Sequence, residues 1–119
     1  MKKKTDPRHL KRIKLIQKLF TFSFSKESKV PTEIKPIISH LKKIDKLIAS
    51  SAPDRPIEQI NRIDLAILRL AVFELIIKRG EPLKVIIDEA IELGKEFGSD
   101  SSQSFINGAL GQVCRQLKI

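Results

Sequence analysis

Residues 63–80 read IDLAILRLAVFELIIKRG, and no other segment constrains the architecture as much. Apolar side chains occupy every side of its helical wheel, with Asp64, Arg69 and Glu74 as isolated charges. A surface helix keeps one polar face, so a segment apolar all round predicts a helix buried at the centre of a bundle. Gly80 is expected to end it in the left-handed conformation, with Lys78 and Arg79 set against the negative end of the helix dipole.

The flanking segments supply the amphipathic partners that such a helix needs. After Pro82, LKVIIDEAIELGKEFG puts Leu83, Ile86, Ile87, Ala90, Leu93 and Phe97 on one face. Asp88, Glu89, Glu92 and Glu96 fall largely on another, which predicts an acidic outer face closing at Gly98. The serines and aspartate of SDSS offer caps for a last helix, in which Phe105, Ile106, Ala109, Leu110 and Val113 recur at helical spacing. Gly108 and Gly111 are expected to let a neighbouring backbone come close.

Toward the N-terminus, Asp54 is positioned to cap a short helical turn in RPIEQIN, and Ile34, Ile38, Leu41, Ile44 and Ile48 predict one amphipathic helix over 34–50. Residues 25–33 read as a loop. Asp6-Pro7 starts a helix of roughly Pro7 to Phe24, because the aspartate can accept from exposed amides and proline at the first position loses no bond. Its apolar arc is Leu10, Ile13, Ile16, Phe20 and Phe24, and Arg8, Lys11, Arg12, Lys14 and Lys18 are expected to face solvent. No stretch alternates with period two long enough for a strand. The expectation is an all-α bundle of about six helices in one domain, 1–119, with a basic part at 6–50 and a C-terminal bundle at 54–119.

Charge is unevenly placed on this 119-residue chain of net charge +9. Residues 1–18 carry eight basic side chains against Asp6, and residues 81–100 carry six acidic against two basic. A cationic helix of this kind suits a polyanion. An anionic membrane would need apolar side chains exposed opposite the charges, and that arc is required for the core. Single-stranded RNA fits better than duplex DNA, since no helix-turn-helix offers a polar recognition helix, and with no Trp or Tyr any base stacking falls to one of six phenylalanines or an arginine plane.

Catalytic chemistry finds no support. The serines of GSDSSQS have no histidine nearby and form no nucleophile elbow, and there is no phosphate-binding glycine loop. One cysteine, Cys114, and two histidines, His9 and His40, make no metal-site spacing, so no metal or cofactor is expected. Cys114 reads as a small buried thiol. The absence of a long apolar run and of a secretion signal leads to the expectation of a cytoplasmic protein.

Three blocks carry a resemblance: Ile63 to Leu75, Pro82 to Gly98, and Ser102 to Leu110. In order and spacing they closely resemble the NusB transcription antitermination factor family, whose pattern runs I-D-x-A-I-L-R-L-A-x-x-E-L, P-x-x-V-x-I-x-E-A-x-E-L-A-K-x-F-G and S-x-x-F-V-N-G-x-L. The resemblance implies a non-catalytic, all-helical protein that binds boxA-type RNA with a small ribosomal protein, NusE, in the transcription elongation complex, supporting ribosomal RNA synthesis. By position, Lys2, Lys3, Lys4, Arg8, Lys11 and Arg12 would hold phosphates. Ser101, Ser102 and Phe105 would lie at the far end of the RNA track, and Asp64 would face the protein partner. About five neutralised phosphates on a single strand give a salt slope near −3.5.

The chain departs from the family pattern at several points. The linker before residue 34 is about ten residues where the family usually has another helix, which implies a trimmed N-terminal sub-bundle. Ser101, Arg55 and Gly94 stand where the family commonly has an acidic residue, an aromatic and alanine. Arg69 and Glu74 also read as buried structural charges. A second reading is therefore a helical protein-interaction scaffold that has kept the core and lost RNA binding.

Overall fold

The computed structural model describes residues 6–24 and 29–119. Among the described residues, six α-helices run α1 Pro7–Phe24, α2 Lys35–Ile38, α3 Leu41–Ser51, α4 Arg62–Phe73, α5 Leu83–Phe97 and α6 Ser102–Leu117. Short 3-10 turns stand at Thr32–Ile34 and Ile57–Gln59, and no strand forms among the described residues. Between α1 and α3 the described chain makes only one 3-10 turn and the four-residue α2, so this part is as short as the sequence implies.

The helix at 63–80 is central, as its composition demands. Nine consecutive residues of α4, Asp64 to Val72, are buried, and α1, α2, α3, α5 and α6 all pack on it. Asn61 starts it: its side-chain oxygen accepts from the amides of Ile63 (2.9 Å) and Asp64 (3.4 Å), satisfying donors that have no intrahelical partner. Burying aliphatic side chains such as Ile67, Leu68 and Leu70 contributes roughly 1.5–3 kcal/mol each. Arg69 survives in this interior through a two-pronged pair with Asp45, at 2.8 and 2.9 Å.

The exit from α4 differs from the expectation. Glu74–Lys78 forms a π-turn in which the Arg79 amide donates to the Glu74 carbonyl at 2.8 Å, one residue wider than an α-turn. The left-handed residue is therefore Arg79 (φ 52°), and Gly80 has no positive φ.

Three further expectations are corrected. The helix over 34–50 is broken at Ser39–His40, because both the Ser39 hydroxyl (2.9 Å) and the His40 Nδ1 (2.8 Å) take the Pro36 carbonyl that the helical ladder would use. Asp54 does not cap the turn at Ile57–Gln59, which follows Pro56 with no side-chain cap. Gly108 has nothing within 4 Å of where a Cβ would stand. Close packing falls instead on Gly98, where a Cβ would lie 2.2 Å from the Ser102 Oγ and 2.8 Å from the Gly94 carbonyl. Cys114 is buried as expected.

Candidate nucleic-acid interface

α1 presents its charges differently from the sequence reading. Asp6 does cap the helix: its carboxylate accepts from the Arg8 amide at 2.8 Å, and that bond holds its pKa below the usual value. The buried residues, however, are His9, Arg12, Ile16 and Leu19. At about 100° per residue their arc is centred about 80° from the expected one, so Leu10 and Phe24 are exposed and Arg12 turns inward.

Carboxylates inside the fold cause this rotation. Arg12 makes a two-pronged pair with Glu74, Nε to Oε2 at 2.8 Å and Nη2 to Oε1 at 2.7 Å. Its Nη1 also reaches Glu89 at 3.4 Å, and its Nη2 lies 3.6 Å from Glu81. His9 bridges Glu89 (Nδ1, 3.0 Å) and Glu96 (Nε2, 2.6 Å). With both ring nitrogens on carboxylates, only the imidazolium donates to each. Burial alone would lower the His9 pKa; the bonds to Glu89 and Glu96 outweigh it and hold the pKa above its ordinary value. The hydrogen bonds with Glu74 likewise favour the charged form of Arg12. The acidic face expected on α5 is thus partly interior, with Glu89 only 2% exposed. A buried carboxylate needs such partners, and the wheel of α5 alone does not show that α1 brings them.

The same network fixes what α1 shows to solvent. Arg8 and Lys11 are exposed, as is Lys14, while Lys18 is partly covered. The Arg8 guanidinium has two long contacts, to Glu81 at 3.5 Å and to Asp6 at 3.9 Å. Lys2, Lys3 and Lys4 lie outside the described residues.

At the far end, the assigned residues separate. Ser101 is exposed and Phe105 half-buried. Ser102, expected at the RNA track, is fully buried, and its hydroxyl accepts from the Ser99 amide at 2.8 Å and closes the α5–α6 turn. Asp64, expected to face the protein partner, is also buried, at 2% exposure. Burial raises its pKa, against the opposing pull of the Ser102 hydroxyl and the Arg55 charge. The Arg55 guanidinium lies 4.1 Å above the Phe105 ring. This half-buried cation–π pair and the exposed Ser101 are accessible at the far end. The pair's signal in the sequence was the arginine standing where an aromatic is usual.

Fold and surface together define a small all-α protein that displays cations from a helix locked in rotation by buried ion pairs. A sequence model of the NusB family matches residues 11–115, and the chain belongs to that family. The transcription antitermination protein NusB of Chloroflexus aggregans (strain MD-66 / DSM 9485) is 49% identical over 76 residues, 62% of this chain and 51% of that protein. That of Dehalococcoides mccartyi (strain ATCC BAA-2266 / KCTC 15142 / 195) is 46% identical over 81 residues, 68% of this chain and 57% of that protein. The chain thus spans about half the length of the curated relatives it matches. The solved structure of Thermotoga maritima NusB superposes with a TM-score of 0.84 at 27% identity, over 93% of this chain and 92% of that one. No helix among the described residues is long and apolar enough to cross a membrane.

Proposed function

We propose that this chain is a non-catalytic, RNA-binding antitermination factor of the cytoplasm. It engages a boxA-type single strand together with the small ribosomal protein NusE and joins the transcription elongation complex. The observation that carries the reading is the outward set of cations on α1, Arg8 and Lys11 foremost, on a helix whose rotation the His9 and Arg12 contacts fix. Charges held at fixed spacing lose little entropy when phosphates dock. Arg55 stacked on Phe105 adds a planar cation and a ring edge suited to an unpaired base.

The buried position of Arg12 changes the expected numbers. Removing it from about five phosphate contacts leaves about four, a salt slope near −2.8, so a fourfold rise in salt weakens binding about fiftyfold. It also moves the mutational test to Arg8 and Lys11. Labelled boxA-like RNA is titrated by fluorescence anisotropy, with and without the ribosomal partner, against the chain and its Arg8→Glu/Lys11→Glu variant. The expected result is at least a tenfold loss of affinity with unchanged helix content. Salt-insensitive or absent RNA binding in both arms would favour the scaffold reading, which gains ground from the burial of Arg12 and Ser102.

A further inference from the structure

A groove of about 700 Å³ runs along the flank of α1, between that helix and the segment Glu33–Ile37, and closes against Phe73 and Lys78. Leu15 and Phe73 give its floor partly exposed apolar surface, backed by the buried Ile37 and Leu70. At one end, Arg12 is occupied by Glu74, and the exposed Arg8 lies 3.5 Å from Glu81. That leaves Lys11, Lys14, Lys18 and Lys78 on the rim against Glu33, and none of these lysines has an ion-pair partner among the described residues.

We propose that this groove docks an acidic amphipathic helix of a protein partner, its leucine-like face on the apolar floor and its carboxylates on the lysine rim. Three features favour that occupant. Lys11, Lys14 and Lys18 are spaced three and four residues apart, so they stand about one turn from one another and match carboxylates set at the same interval on a facing helix. The wall from residue 8 to 18 is about 15 Å long, room for roughly three helical turns. The lining also includes no serine, threonine, asparagine or glutamine, so it lacks the neutral donors and acceptors that read base edges, while its aliphatic floor suits a helix laid in a groove. The site stands apart from the Arg55–Phe105 pair and does not depend on the RNA-binding reading.

The test uses the full chain and a fluorescein-labelled 16-residue helical peptide, with leucines along one face and glutamates on both flanks. A control peptide carries lysine in place of each glutamate. Saturable binding of the glutamate peptide is expected, with little binding of the control, and the Lys14→Glu/Lys18→Glu/Lys78→Glu variant should bind about tenfold more weakly or worse. A Phe73→Ser variant, checked for retained helix content, should weaken the peptide as well. Single-stranded RNA is titrated in parallel. Absent binding, equal affinity for the two peptides, or indifference to the triple reversal overturns the proposal. So does an RNA affinity that falls as far as the peptide's on that reversal, which would assign the groove to nucleic acid.

Discussion

α1 and α4 lie against each other, yet the inner faces of the two helices are built from unlike materials. α4 buries aliphatic residues on all sides, and its two buried ionic members, Asp64 and Arg69, sit among neighbours such as Leu65, Ala66, Leu68 and Leu70. α1 buries a histidine and an arginine over its first two turns, and turns aliphatic only at Ile16 and Leu19. Apolar burial is non-directional, so it holds α4 in the centre with little regard for small rotations. A two-pronged arginine–carboxylate pair has one geometry, and it sets the angle of α1 about its own axis. The central helix therefore supplies cohesion, and the N-terminal helix supplies orientation, which decides which cations reach solvent.

Three substitutions break or sharpen that contrast. The largest effect is expected for Arg12→Ala, which strands Glu74 in the interior. Loss of about 3–5 kcal/mol is expected in urea denaturation, with RNA affinity falling as α1 loses its angle. Leu68→Ala removes only packing from the centre of α4 and should cost about 2–4 kcal/mol, leaving RNA affinity per folded molecule unchanged. A parallel fall in both properties for Leu68→Ala would erase the division of roles.

The smallest effect concerns pH. The His9 pKa is raised in the fold, so its contribution is fully present below the unfolded value of about 6.5 and is lost as pH rises through the folded one. Thermal midpoints should therefore decline from pH 6.5 upward, and His9→Gln should flatten that decline. An equal slope in the variant would remove His9 from the account.

Much of this architecture could be read from residues alone, for reasons that also explain the misses. The start of α1 follows from local chemistry, an aspartate cap and a proline at the first position, and falls at Pro7 as expected. The centrality of α4 follows from composition. What a single helix cannot reveal is which side of it faces in when the partner is ionic: the wheel favours Leu10 over Arg12 until Glu74, Glu81 and Glu89 are known to stand opposite. The break at Ser39–His40 depends on two side chains competing for one carbonyl, a local rivalry that hydrophobic spacing ignores. For the interface, Arg8, Lys11, Ser101 and Phe105 remain accessible, whereas Arg12, Ser102 and Asp64 are withdrawn because each serves the fold.

The widened turn after α4 holds one more residue than a regular coil would need. An uninterrupted α-ladder through this point would carry the side chains beyond it about 100° around the axis. Lys78 would then leave the rim of the groove, and Glu81 would lose its reach toward Arg8. Excising one residue between Leu75 and Lys78 would thus leave a continuous, well-bonded rod that keeps the Arg12–Glu74 pair while withdrawing Glu81 and Lys78 from the flank of the amino-terminal helix, an edit in length with the consequences of an edit in charge.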